Sequence, residues 1–350
     1  MTSPEVPGAP GWNAIDQALA VVYPGVEPLH FAATPPASAG GDDPLNGVSV
    51  FASTHGGRKH WHFVTYGFTE LFGKETDEPA VSGYGFELTV RVIDPDAAAH
   101  RPPSWVFSLL QNLARYVFRT GNAFGPGHHM TANGPIAVQR KTALTAMAFV
   151  EDPQLPVQTT PNGQMIFLQI VGLTADEYEV IKDWDTLAFL DAVRAKDPAL
   201  VTDLGRTSYL DDPAFRATCD EGRARDGASM QEVYASQGSF EDDGTRAVFV
   251  VAANCVTDLH RLVAGRLAHG KPATYVWPDG LLCLEGAADT EVISEEGIAT
   301  LRLSERDRTA VAAIPVARGD YPLPSGRVLV RVIPIDIYDP TRTKVIDTVG

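Results

Sequence analysis

His60 and His62 flank Trp61 in a run rich in aromatic and β-branched residues. On a strand, residues two apart point to one face, so the two imidazoles would stand side by side. Paired imidazoles bind zinc or iron, and Glu87, in a second run of the same kind, offers the carboxylate of a three-ligand site. No fourth ligand follows at a recognised spacing; one histidine packed under a sheet and the other in solvent is the plainer expectation. A metal-dependent enzyme using His60 and His62 is therefore kept as the alternative reading. The leading reading calls for no cofactor and no catalytic residue.

The remaining candidates for chemistry are weaker. His128 and His129 are chain neighbours that point apart after Gly125-Pro126-Gly127, which suits a surface turn with at most one pH-sensitive contact. The glycines of Gly83-Tyr84-Gly85-Phe86 precede a strand and not a helix, so they mark a turn or bulge and not a phosphate cradle. No Gly-x-Ser-x-Gly elbow is present, and Cys219, Cys255 and Cys283 lie in no protease signature. Three cysteines are too few for a disulfide scaffold or a zinc knuckle and read as free thiols. Glu151 and Asp152 have the chemistry for acid–base work in a cleft, but ahead of Pro153 they read as solvated.

Composition narrows the classes further. The chain has 350 residues, 44% hydrophobic and 21% charged, enough for two compact domains. A net charge of -16 repels nucleic-acid phosphates and anionic lipid, and no basic run exceeds Arg58-Lys59 or Arg140-Lys141. Direct binding to nucleic acid or to a membrane is not expected. An acidic surface suits a basic protein partner or simple solubility. Residues 1–10 lack the basic start and apolar core of a secretory leader, and no apolar run approaches the ~18 residues of a membrane span, so a cytoplasmic setting is expected.

The elements that must position these residues follow from periodicity. Residues 1–10 read as a flexible tail, Asn13–Tyr23 as a helix ended by Pro24-Gly25, and Thr34–Gly41 as a loop. Strands are expected at Val48–Phe51, Trp61–Phe68, Tyr84–Ile93, Leu144–Val150 and Gln164–Leu173, the last nearly continuous in apolar residues and so central. Ser104–Arg119 follows Pro102-Pro103 with a helical stripe of Trp105, Leu109, Leu110, Leu113 and Val117. Further helices begin at Thr174 and Trp184. From Asp203 to Asp243 the pattern dissolves into a link, and beyond it come strands at Val248–Ala252, Pro272–Trp277, Leu281–Leu284, Thr300–Leu303 and Arg327–Val332, with a helix at Asp258–Ala268 closed by Gly270. The class is α+β: two domains, 11–235 and 236–350, each a mixed or mostly antiparallel sheet with packed helices.

Several segments together carry a resemblance. They are Gly41-Asp42-Asp43-Pro44-Leu45, His60-Trp61-His62, Tyr66-Gly67-Phe68-Thr69-Glu70-Leu71-Phe72-Gly73, Gly85-Phe86-Glu87-Leu88-Thr89 and Leu113-Ala114-Arg115-Tyr116-Val117-Phe118. To these is added the turn beginning Glu151-Asp152-Pro153-Gln154 and running into Phe167-Leu168-Gln169-Ile170-Val171-Gly172. In order and spacing the chain resembles the Suppressor of fused family, from about Trp12 to Tyr234 and more weakly from Leu262 to Tyr275. The resemblance implies a two-domain protein-binding clamp that turns over no substrate. Animal members restrain the zinc-finger transcription factors of Hedgehog signalling by gripping a peptide as an added strand in the interdomain cleft. It further implies Tyr116 and Glu151 as one wall of that site and Tyr275 as the opposite wall. His128 stands where animal members carry an Asp, which changes the contact offered to a partner. The compact Ala/Gly/Pro/Val-rich chain resembles bacterial members, for which a toxin-immunity protein or a regulatory adaptor is the implied role.

Overall fold

Strand periodicity and helix stops written into the chain resolve into an α+β architecture in the computed structural model, which describes residues 6–32, 41, 43–95, 100–295, 298–338 and 344–350. Residues 1–5 of the expected tail, all but Gly41 of the expected loop at 34–41, and Asp42 lie outside the described residues. Two compact units result. One comprises the described residues up to Glu179 with Thr186–Arg216, the other Val180–Asp185 with Ala217–Gly350.

In the first unit α1 (Pro10–Val22) precedes β1 (Leu29–Ala32), β2 (Gly47–Ser53), β3 (His60–Tyr66) and β4 (Val81–Ile93). Then come α2 (Trp105–Thr120), β5 (His129–Thr131), β6 (Leu144–Glu151), β7 (Gln158–Thr160), β8 (Gly163–Thr174), α3 (Ala175–Asp183), whose residues from Val180 on belong to the second unit, α4 (Thr186–Arg194) and β9 (Thr202–Asp203). These strands make one nine-stranded sheet ordered β1-β2-β3-β4-β8-β6-β5, with β7 on β8 and β9 on β4. Pairing is antiparallel except for β4 with β8 and β4 with β9. β8 is central, as its continuous apolar run predicts.

Alternation along the strands sends adjacent residues into different cores. Phe63 and Leu168 join Leu110, Leu113 and Val117 of α2, while Val64 and Phe167 join Ile15 and Leu19 of α1. The sheet is therefore covered on both faces. Each fully buried Leu or Val of the α2 stripe contributes about 1.5–3 kcal/mol. Gly121, left-handed at φ +74, ends that helix.

The expected irregularity at Gly83 and Gly85 is present as a shift of register between Val81 and Phe86. Both glycines have positive φ, but a Cβ at Gly85 meets only a Val81 methyl at 2.9 Å, whereas at Gly83 it meets the Phe68 carbonyl oxygen at 2.6 Å. A flexible methyl moves aside more cheaply than backbone. Gly83→Ala should then cost about 2 kcal/mol or more and Gly85→Ala about 1, to be read as the difference in their denaturation midpoints.

The second unit holds α5 (Pro213–Asp226) for all but its first turn, then β10 (Glu232–Tyr234), β11 (Gly238–Asp242), β12 (Ala247–Ala252) and α6 (Val256–Arg261). It continues through β13 (Ala273–Trp277), β14 (Gly280–Gly286), β15 (Glu291–Glu295), β16 (Ile298–Leu303), α7 (Glu305–Ala312), β17 (Gly319–Pro322), β18 (Val328–Ile333), β19 (Ile335–Tyr338) and β20 (Val345–Val349). Its sheets run β10-β13-β14-β16-β15 and β11-β12-β18-β17, with β19 and β20 as a hairpin. The stretch read as a link thus contains α5 and two strands. Beyond Phe215 in its first turn, α5 hides its inner face behind small residues: Cys219 is buried, and the Trp184 ring occupies the space a Gly222 side chain would need. Such a face carries no apolar stripe to detect.

Candidate functional site

Strand β3 places His60 and His62 on one face, and both are buried, at 5% and 0% exposure, against the expectation that one would meet solvent. His62 Nδ1 hydrogen-bonds the Tyr23 hydroxyl at 2.8 Å, and its Nε2 lies 3.4 Å from Asp152 Oδ2. That second distance is long for a hydrogen bond, and Nε2 has no hydrogen-bond partner among the described residues. His60 Nδ1 is 2.8 Å from the Arg58 carbonyl. Burial first, then the neighbouring Arg91 guanidinium, lowers His62 to about 4, which keeps it neutral at neutral pH.

Asp152 sits at the centre of this network. Arg91 donates to both its oxygens, at 2.6 and 3.0 Å, Thr89 Oγ1 donates at 2.8 Å, and the backbone N–H groups of Gln154 and Leu155 donate at 2.9 and 3.2 Å. Arg91 also donates to Gln169 Oε1, whose Nε2 donates to the Ala199 and Leu200 carbonyls. Burial alone would raise the Asp152 carboxyl, but His62 and Arg91 hold it well below the usual range. The solvated reading of Asp152 is thus corrected: its carboxylate is fully buried. Glu87 does not join the histidines as a ligand. It accepts from the Thr65 and Thr69 hydroxyls at 2.6 and 2.7 Å and from the Gly67 and Thr69 N–H groups at 2.9 and 3.0 Å. Among the described residues no group of three or more His, Cys, Asp or Glu is arranged to hold a metal ion. The network is a buried core lock centred on Asp152 and Arg91, in which His60 Nε2, His62 Nε2 and Arg91 Nε are buried with no hydrogen-bond partner among the described residues.

A different region gathers three of the residues implied as peptide contacts. Tyr116, half-exposed on α2, stacks on Phe124 with centroids 5.7 Å apart, and Phe124 stacks on Phe149 of β6 at 4.3 Å. Phe149 N–H donates to the His128 carbonyl at 2.9 Å, and Gly127 N–H donates to the Phe149 carbonyl at 2.8 Å, so the exposed His128 extends the β5–β6 pairing. Glu151 is exposed two residues farther along β6, on the Phe149 face. Its carbonyl accepts from Arg194 at 3.4 Å. Neither Phe124 nor Arg194 was singled out from sequence. Phe124, an aromatic in a Gly-bounded turn, was the signal available for the first.

β5 ends the sheet, so its outer edge has no strand partner among the described residues. Bonds from Phe149 to His128 and from Ala132 to the Thr145 carbonyl turn residues 128 and 132 toward β6. Alternation therefore turns the Thr131 N–H outward. A groove of about 770 Å³ runs between α2 and residues 130–140, lined by Leu109, Asn112, Tyr116, Met130, Asn133 and Gln139 among others. The charge at its rim, Arg140, pairs with Asp94 at 3.2 Å.

Tyr275 is not available as an opposite wall. It is 0% exposed inside the second unit's core, edge-on to Phe249 at 5.1 Å, and its hydroxyl accepts the Ala252 N–H at 3.1 Å. Alternation on β13 sends this ring inward between Ala273 and Trp277, so it is a packing residue.

Residues 41–207 match the sequence model of the family described as Suppressor of fused protein (SUFU). The human Suppressor of fused homolog is 32% identical over 265 residues, covering 69% of this chain and 54% of the relative. The mouse homolog is 34% identical over 243 residues, covering 64% and 49%. The chain thus spans about half the length of these relatives. Among solved structures, Drosophila Suppressor of Fused aligns over 94% of this chain and 99% of its own at 20% identity with a TM-score of 0.78, which shows a shared fold. A chain of the Sufu–Fu complex crystal structure aligns over 61% of this chain and 98% of its own, at 29% identity and a TM-score of 0.55. By sequence the chain belongs to the Suppressor of fused family, and residues 41–207 are the part that the family's model describes.

Proposed function

We infer that this chain is a non-enzymatic protein-binding module that captures an extended segment of a protein partner along the outer edge of β5. The open edge of β5 carries the reading, flanked by the exposed His128 and by Tyr116 over the adjacent groove. An added strand gains main-chain hydrogen bonds from such an edge, and side chains of alternate residues find the groove. Support also comes from a related chain whose crystal structure is that of a complex, Sufu–Fu. An immunity protein neutralising a cognate toxin is the setting we favour, and a regulatory adaptor is the next. Among the described residues no helix is long and apolar enough to cross a membrane, and the proposed partner is a protein and not a lipid.

Edge chemistry makes this testable. Thr131→Pro removes the outward N–H and leaves the main-chain bonds of residues 128 and 132 to β6, losing only the hydroxyl's contacts with the Thr145 carbonyl at 3.5 Å and the Asn133 N–H at 3.1 Å, and proline is tolerated on an edge strand. A displayed library of short extended peptides, selected on the wild-type protein, should yield binders that the proline variant loses while it still unfolds cooperatively, with a melting temperature lowered only by the loss of the hydroxyl's two contacts. Tyr116→Ala should weaken the same binders by about 2 kcal/mol, as expected for a central aromatic anchor. Calorimetry giving equal affinities for wild type and Thr131→Pro would remove strand addition at β5.

A further inference from the structure

Three Asn-Gly pairs occur in the chain: Asn46-Gly47, Asn133-Gly134 and Asn162-Gly163. In such a pair the main-chain nitrogen after the asparagine can attack the side-chain amide carbon, because glycine puts no side chain in its way. The new C–N bond closes a five-membered succinimide, and the glycine N–H proton passes through solvent to the departing amide nitrogen, which leaves as ammonia. Water then opens the ring, at the side-chain carbonyl to give aspartate or at the main-chain carbonyl to give iso-aspartate. The reaction consumes only water. It needs an amide free to rotate and a glycine N–H free to lose its proton.

The fold denies these to two of the pairs. Asn162 is buried, its Nδ2 donates to the Glu70 carbonyl at 2.7 Å, and the Val81 main chain lies 2.6 Å from where a Cβ on Gly163 would stand, which leaves no room for a ring. Gly47 is buried in β2 between Ala32 of β1 and Tyr66 of β3; the Asn46 N–H donates to the Tyr66 carbonyl, so alternation turns the Gly47 N–H into the pairing with β1. Asn133 is different. It is exposed just beyond β5 at φ +54, a conformation asparagine adopts more readily than most residues, and a Cβ on Gly134 would meet nothing within 4 Å. Among the described residues neither the Asn133 side-chain amide nor the Gly134 N–H has a hydrogen-bond partner. Asn133 also lines the groove beside α2, where Arg140 is the one charged lining residue and no Asp or Glu is present among the described residues. We propose that Asn133 is a self-modification site: in the folded protein it converts to aspartate and iso-aspartate while Asn46 and Asn162 stay intact, which gives this groove a carboxylate. The iso form also lengthens the main chain between β5 and Pro135.

The test incubates the full chain at mildly alkaline pH and physiological temperature, digests samples over time, and follows the three Asn-Gly peptides by mass spectrometry for the gain of about 1 Da that replaces NH2 by OH. Native protein should convert at Asn133 at least about tenfold faster than at Asn46 or Asn162, because the latter two must wait for local opening. In urea, where no fold restrains them, the three rates should come within about threefold of one another. Ion exchange of the native protein should resolve a growing acidic species, and Asn133→Gln, whose longer side chain would have to close a six-membered ring, should suppress it while keeping an exposed amide. A native advantage of Asn133 smaller than about tenfold, an advantage that survives in urea, or an acidic species that grows as fast in Asn133→Gln overturns the assignment.

Discussion

Asp152→Ala should destabilise the first unit by about 3–5 kcal/mol, the cost of leaving a buried cation without its counter-charge. Arg91 and Asp152 both have side chains with 0% exposure, and the carboxylate also satisfies the buried Thr89 hydroxyl and the backbone N–H groups of Gln154 and Leu155. Arg91→Met combined with Asp152→Leu should recover most of the loss, because an apolar pair of similar volume needs no compensation. Urea denaturation of wild type, single and double variants decides this. A single variant within about 0.5 kcal/mol of wild type would show that the lock is dispensable. The effect reaches the proposed binding edge through β6, whose end at Glu151 is held next to the buried Asp152. Loss of the Asp152 carboxylate loosens the strand on which β5 hangs.

Local pattern made the frame of this fold legible, and long-range pairing supplied what local pattern could not. The α2 stripe, the Pro102-Pro103 start, the Gly121 stop and the apolar run of β8 are each written within a few neighbouring residues. That His60 and His62 share a face was also readable, since it needs only the two-residue period of a strand. Their partners were not. Asp152 meets His62 because a parallel β4–β8 pair brings the end of β6 back over β4, and no property of the acidic Pro-bounded turn at 151–156 announces that crossover. The same turn splits its two carboxylates, with Glu151 in solvent and Asp152 in the core. Tyr275 failed for a related reason: strand phase decides whether a ring on β13 faces out or in, and an aromatic in a Thr-Tyr strand is compatible with either. Tyr116, His128 and Glu151 lie together for a reason the residues alone did not state, namely that Phe124 and Phe149 bridge the helix to β6.

Acid should weaken the fold in a window set by His62. An unfolded histidine titrates near 6.5, and the folded residue near 4, so between these values the unfolded chain takes up a proton that the native state refuses. Stability therefore falls as pH drops from about 6.5 to about 4, by about 3 kcal/mol for this residue, and no further below that, where both states carry the proton. Burial lowers His60 and His55 as well, so they act with the same sign. Glu87 acts against them: burial raises its carboxyl despite the threonine hydroxyls, so its contribution is lost as pH rises through its folded value. Asp152, held low, contributes stability that is lost only as pH falls below the ordinary carboxylate range, under the histidine window. Comparison with His62→Gln, which keeps an amide to meet Tyr23 and cannot titrate, isolates the one imidazole. Denaturant midpoints of wild type should fall faster than those of the variant between pH 6.5 and 4, and curves that stay parallel across that interval would show that His62 is already solvated or already charged in the native protein.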